Sequence, residues 1–330
     1  MDSFILSLFS KDDKLKASTL FQVLTGKRTS SVLAYAFFHD LLPFLGSFPQ
    51  LTEKQFYQQL SSLQVSGWIQ QEEDGLLSLK QAKPAFPVAV PHIDYFRFGR
   101  KALENWRMLQ FLIQVASFLG KQTAYLPLES SPFYTERVRA FVKEHRTELS
   151  TKVYEELTTI FEQLELTEAD FLARTLTGYQ QNGAAFFQLL TTEEQAEPYA
   201  TLKIANMLHG FFQTLHQHKD FLLYQFLKPL LMQNVNTSML QTRHLVEQGM
   251  NLEEVQRYRK LKAGTIQDHL IEWALLDRHF PFERFFDHPE ALEQLPIDSW
   301  QYRYKELIEG TSLNFLEVRL YQIWQRRQTC

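Results

Sequence analysis

Apolar positions along this chain recur mostly at helical spacing. Leu15, Leu20, Val23 and Leu24 form one stripe, and Gly26 is placed to stop it. Thr29 or Ser30 can cap a second helix carrying Val32, Leu33, Tyr35, Ala36, Phe37 and Leu41. Thr52 opens a third, with Gln55 completing a capping box and Phe56, Leu60 and Leu63 on one side. The stretch Gly67–Leu79 then reads as two short strands around the Asp74-Gly75 turn. Three helices closed by a hairpin is the order of a winged helix.

Pro84, Pro87 and Pro91 each remove a backbone donor and disfavour helix at the preceding residue, so 84–94 reads as an extended connector. From 95 to 235 the helical pattern resumes, with apolar stripes around Trp106–Leu119, Glu136–Glu148, Val153–Leu164 and Leu202–Leu215. No clear repeat period emerges, which argues against a solenoid. The expected fold is mainly α and multi-domain. It comprises a winged-helix-like domain at 1–83, the connector, a helical middle domain at 95–235 and a C-terminal helix-turn-helix region at 236–330.

That last region is the most legible. Ser238 can cap a helix through Leu240, Leu245 and Val246 that stops at Gly249. Asn251 and Glu254 make a second capping box, and the helix they open ends near Arg259. Leu261 sits in the turn, and a third helix runs Thr265–Ala274 with Ile266, Leu270, Trp273 and Ala274 inward. A short turn locked by apolar side chains, each contributing roughly 1.5–3 kcal/mol when fully buried, is the physics of a helix-turn-helix.

These residues carry a resemblance. Gln248–Val255, Arg259-Lys260-Leu261 and Thr265–Leu270 resemble the helicase-type helix-turn-helix domain that ends some RecQ-type helicases. The domain also ends a family of uncharacterised Gram-positive bacterial proteins often encoded beside such a helicase. The closing Leu313–Leu320 and the early Leu24–Ser30 are similar to that family. The resemblance implies DNA as a partner and work alongside a RecQ-type helicase. Three positions depart from a strong DNA reader. Gln256 stands where a small residue favours close helix contact, Lys262 replaces a capping Ser or Thr, and Gly264 weakens the helix start.

Charge refines the expectation. The chain carries 34 Lys+Arg against 38 Asp+Glu, which excludes a strongly basic nucleic-acid-coating protein. Within 236–286 the basic residues Arg243, Arg257, Arg259, Lys260, Lys262, Arg278 and Arg284 are balanced by seven acids. Arg257, Arg259, Lys260 and Lys262 are the candidates for phosphate contact. Thr265 and Gln267 are the candidates on the following helix, Gln267 as a reader of adenine. Asp268 and Glu272, if outward, repel phosphate. At the front Lys11, Lys14, Lys16, Lys27 and Arg28 are basic, whereas Glu72, Glu73 and Asp74 make the wing tip acidic.

Catalytic signatures are missing from the sequence: there is no Gly-rich phosphate loop before Lys-Ser/Thr, no dinucleotide fingerprint and no nucleophile elbow. His209, His216 and His218 lack a carboxylate at ligand spacing, so neither a metal nor a cofactor is expected. His269 reads as a packing residue, and Glu155-Glu156 as first-turn or solvent-face charges. With Cys330 the one cysteine, no disulfide framework can form. No long apolar run or basic-then-apolar start is present, so a cytoplasmic location without a membrane span is expected. The function expected is a non-enzymatic, nucleic-acid-associated accessory protein. Two alternatives stand beside it: a protein-interaction scaffold, with a homo-oligomer left open, and a sequence-specific transcription regulator.

Overall fold

The computed structural model describes residues 1–10, 13–121 and 123–329; Lys11, part of the basic front, and Cys330 lie outside them. The chain is mainly helical. In chain order, α1 spans Asp2–Ser7, α2 Ala17–Thr25, α3 Ser30–Phe38 and α4 Glu53–Val65, followed by β1 (Ile69–Gln71) and β2 (Leu77–Leu79). Then come α5 (Ala102–Phe118), α6 (Pro132–His145), α7 (Leu149–Glu162), α8 (Leu166–Ala173), α9 (Phe186–Leu189), α10 (Tyr199–Gln217) and α11 (Leu222–Leu231). The last part holds α12 (Thr237–Glu247), α13 (Leu252–Arg259), α14 (Ala263–Leu276), α15 (Pro289–Glu293), α16 (Tyr304–Ile308) and α17 (Phe315–Gln328).

Two compact units emerge, and they do not follow the chain. One joins Ser3–Ser7 to Pro84–Asn234; the other joins Leu8–Lys83 to the chain from Val235 onward. The sequence reading gives 1–83 and 236–330 a domain each, whereas in the structure they share one core. Helix α3 lies against both α14 and α17, and the Arg326 guanidinium meets Asp40 at 2.7 Å. Helix α1 leaves the front and joins the other unit, where the Ser3 and Tyr199 hydroxyls lie 2.8 Å apart and Phe4 packs on Phe86.

In the unit formed by both ends, local signals in the sequence build the elements. The Thr52–Gln55 capping box opens α4. Strands β1 and β2 pair antiparallel with Ile69 opposite Leu79. The backbone of Leu15 exchanges two hydrogen bonds with Leu77, adding a one-residue bridge on the other edge of β2. Gly26 ends α2 at φ 86° and also backs onto Gly46, where a Cβ would come within 3.1 Å of the Gly46 Cα. Both a left-handed turn and a close backbone approach therefore demand glycine there. Helix α12 is capped by Asn236 and not by Ser238: the Asn236 Oδ1 accepts from the amides of Ser238 and Met239.

Helix α14 is the centre of this unit. Every residue from His269 to Leu275 is buried, Glu272 included. The Glu272 carboxylate accepts from the Arg28 guanidinium at 2.9 Å and from the Asn236 Nδ2 at 2.9 Å. One buried acid thus ties the chain entering α3 and the cap of α12 to the core helix. At the other end of α14, Arg327 from α17 donates to the carbonyls of Ala274 and Asp277, which the helix cannot satisfy itself.

In the other unit α10 is the spine. Phe211, Phe212, Leu208 and Leu215 on it are fully buried, and Trp106 of α5 meets Phe211 edge-on at 5.1 Å. Glu156 is a buried cap here rather than a first-turn or solvent-face charge: its two oxygens accept from the amides of Leu222 and Leu223 at the start of α11. His209 is wholly buried; its Nδ1 accepts from the Asp94 amide at 2.9 Å, and burial pulls its pKa down to about 3. Among the described residues, no group of three potential metal ligands comes together, and no helix is long and apolar enough to cross a membrane.

Two outcomes follow for stability. Arg28→Met strands the Glu272 carboxylate in the core and costs about 3–5 kcal/mol in urea unfolding, while adding Glu272→Gln recovers most of it. His209 has a lower pKa folded than unfolded, so the unfolded chain binds the extra proton and stability falls as pH drops below about 6.5. Comparing unfolding at pH 7 and 5, the native chain loses about 2 kcal/mol more than His209→Gln, which keeps an acceptor for the Asp94 amide.

Candidate nucleic-acid interface

Helices α12, α13 and α14 form the helix-turn-helix. The Asn251–Glu254 capping box that opens α13 is fully made, with both reciprocal bonds near 2.8–2.9 Å. Helix α13 ends at Lys260, which takes a left-handed conformation at φ 53°. That single strained residue turns the chain, the Leu261 amide reaches back to the Gln256 carbonyl, and α14 starts at Ala263. Lys262 supplies no side-chain cap, as its chemistry requires.

The structure separates the four predicted phosphate contacts. Arg257, Lys260 and Lys262 are exposed around the turn and, among the described residues, make no ion pair. Arg259 turns inward instead. It donates to the carbonyl and hydroxyl of Ser238, to the Thr242 hydroxyl and to the Gln241 Oε1, clamping α13 to α12. A guanidinium can only donate, so the Thr242 oxygen accepts from it and its own hydrogen goes to His269 Nδ1 at 2.8 Å. Burial, and then the Arg259 charge, lower the His269 pKa and keep that ring neutral. His269 is therefore part of the packing between helices.

Helix α14 is not a rod held proud of the body. Its exposed positions are confined to the first turns: Lys262, Ala263, Gly264 and Asp268, with Thr265 half-buried. Gln267 does not face outward beside the cations. It lies in a cleft of about 820 Å³ shared with Leu252, Glu253, Arg284, Asp287 and Glu317. Three carboxylates against the one guanidinium of Arg284 make that cleft unfavourable to phosphate. Glu272, which would repel phosphate if outward, points into the core and is neutralised by Arg28. Arg28 is thereby withdrawn from the basic front, where Lys27 stays exposed.

One feature escaped the sequence reading. Tyr258 is 70% exposed, between Arg257 and the turn. Its position two residues beyond the inward-facing Gln256 was the available signal, since the inner stripe of α13 passes through Leu252 and Val255. An aromatic ring flanked by cations offers a stacking surface for an unpaired base. Helix α4 also has a bare outer face, with Lys54, Gln55, Tyr57, Gln58, Ser61 and Ser62 exposed. The hairpin after it keeps its acidic tip: hydrogen bonds from Ser78 and Gln70 hold the half-buried Glu72 carboxyl below its usual pKa.

Comparison with known proteins agrees with the local geometry. Residues 238–301 match a family described as a helix-turn-helix domain. Over nearly its whole length the chain is similar to Protein YpbB of Bacillus subtilis (strain 168), at 24% identity over 340 residues, covering 97% of this chain and 96% of the relative. No solved structure matches the chain significantly.

Arginine substitutions separate scaffold from surface. Arg259→Ala breaks the clamp on α12 and lowers the urea midpoint by the equivalent of about 2 kcal/mol, whereas Arg257→Ala stays within about 0.5 kcal/mol.

Proposed function

We propose that this chain is a non-enzymatic, DNA-associated accessory protein that grips phosphate through the α13–α14 turn. The observation that carries the reading is the trio Arg257, Lys260 and Lys262, exposed together and without ion-pair partners among the described residues. They surround the start of α14, where backbone amides and the helix dipole favour an anion. The match of 238–301 to a helix-turn-helix family supports the same assignment. Gln267 in its acid-lined cleft favours backbone contact over base reading, so the binding is shape- and charge-dependent and weak in sequence preference.

An accessory role beside a RecQ-type helicase extends the proposal. Its support is the resemblance carried by Gln248–Val255 and Thr265–Leu270. In this proposal the motor is assigned to another polypeptide, a reading supported by a sequence with no phosphate-binding loop. A second reading, an adaptor whose helix-turn-helix binds protein, draws on the burial of α14 from His269 to Leu275. The two differ in salt dependence.

Anisotropy of labelled duplex, forked and single-stranded DNA over a tenfold salt range is the test. Three phosphate contacts give a log–log slope of about −2 to −3, and alanine at Arg257, Lys260 and Lys262 together abolishes it. No binding at low salt, or a flat slope, favours the adaptor. Gly264 offers a second check: a Cβ there meets nothing within 4 Å, so Gly264→Ala stabilises the fold by about 0.5–1 kcal/mol yet weakens DNA binding if phosphate approaches that backbone.

A further inference from the structure

We infer that the cleft between α5 and α6 is a docking site for an acidic peptide with an apolar anchor, borne by a protein partner. The cleft has a volume of about 520 Å³. Its floor is apolar, made by Phe111 and Val115 of α5 with Val138 and Val142 of α6, and Pro127 closes one side. Its rim is cationic. Arg139, Lys143 and Arg146 also line it and are all exposed. Their spacing along α6 puts them on one edge of the helix. Among the described residues none of the three has an ion-pair partner, although Glu136 and Glu144 lie on the same helix. The carboxylate in the lining, Glu129, is buried and held by Arg107.

The cleft is built in advance of any partner. The segment carrying Pro127 is pinned on both sides by one buried amide: Gln114 Nε2 donates to the Leu126 carbonyl at 3.0 Å, and its Oε1 accepts from the Leu128 amide at 2.8 Å. Gln114 is 3% exposed, so this lip is fixed. Leu126 and Leu128 flank Pro127 and face solvent, Leu126 at 89% exposure. Two solvent-exposed leucines on a rigid lip, beside an apolar floor, make a preformed surface with little ordering left to oppose binding.

The chemistry selects the occupant. From Arg139 to Arg146 the helix rises about 10 Å, which about three residues of extended peptide span. Carboxylates on such a segment meet the three cations while an apolar side chain between them enters the cleft. A nucleic-acid strand fits less well. The ring in the floor, Phe111, is buried and unavailable for stacking a base, while an aliphatic or aromatic anchor needs only the apolar floor. The site lies wholly within the unit that lacks the helix-turn-helix, so it does not depend on the DNA reading.

The probe is a short fluorescein-labelled peptide of aspartates and glutamates around a central Leu-Phe pair, titrated with the full chain. Saturable binding is expected, weakened about tenfold or more by Arg139→Glu, Lys143→Glu and Arg146→Glu together, and similarly by Ser-Ser in place of Leu-Phe. All three substitutions are at exposed positions, and an unchanged circular-dichroism spectrum and urea midpoint confirm an intact fold. Val142→Asp, which puts a charge on the apolar floor, gives an independent loss. Binding indifferent to the charge reversals, or none at low salt, overturns the inference. So does displacement of the peptide by single-stranded DNA together with loss of DNA affinity in the reversed variant. DNA binding that fails only on substitution of Arg257, Lys260 and Lys262 leaves it standing.

Discussion

A buried carboxylate cannot remain charged in a protein core without partners, and Glu272 has two from separate parts of the sequence. Arg28 arrives from the chain entering α3, and Asn236 from the cap of α12. Satisfying that one group brings residues more than two hundred positions apart against the same helix. The apolar faces of α3, α12 and α17 then complete the burial of α14. Removing Arg28 leaves a buried carboxylate with only the Asn236 amide beside it and no counter-charge, so the acid penalises any packing that omits the front of the chain.

The same constraint sets what the helix-turn-helix can do. In a groove-reading module the third helix must offer side chains along its outer face. Here α14 spends that face on the core, and its exposed part shrinks to the first turns. What survives is the turn before it, where Lys260 in its left-handed conformation exposes itself along with Arg257 and Lys262. A surface of this kind has charge to offer a phosphate backbone and few side chains to offer base edges, which is the basis of the proposed backbone contact. Arg259 illustrates the division of labour within six residues of sequence: one cation is spent fastening α13 to α12, and its neighbours Arg257, Lys260 and Lys262 stay exposed.

Local features were legible because their determinants are local. The capping boxes at Thr52 and Asn251, the Asp74-Gly75 hairpin and the α13–α14 turn each rest on residues within a few positions of one another. What the sequence hid is whatever needs a distant partner. Nothing near Glu272 announces Arg28, so periodicity alone leaves open whether Glu272 faces outward. Nothing near Glu156 announces the amides of Leu222 and Leu223. Arg259 and Arg257 are two residues apart and chemically alike, yet only the fold decides which meets Ser238. Gln267 was misplaced for a related reason: periodicity tells which residues of a helix are buried first, not which other segments crowd its remaining faces.

The two cationic surfaces on this chain differ in what surrounds the charge, and that difference carries their meaning. Around the α13–α14 turn the cations stand beside backbone amides at a helix start and an exposed tyrosine, a setting suited to phosphate and an unpaired base. Along α6 the cations border an apolar floor with no free polar group but Thr135, so an anion bound there must bring a greasy side chain with it. Carboxylates on a polypeptide satisfy that requirement, and a phosphodiester chain does not. If both proposals hold, one unit takes nucleic acid and the other a polypeptide, which is the chemistry of an adaptor. The accessory and scaffold readings, which compete at the helix-turn-helix alone, become compatible once the α5–α6 cleft is counted.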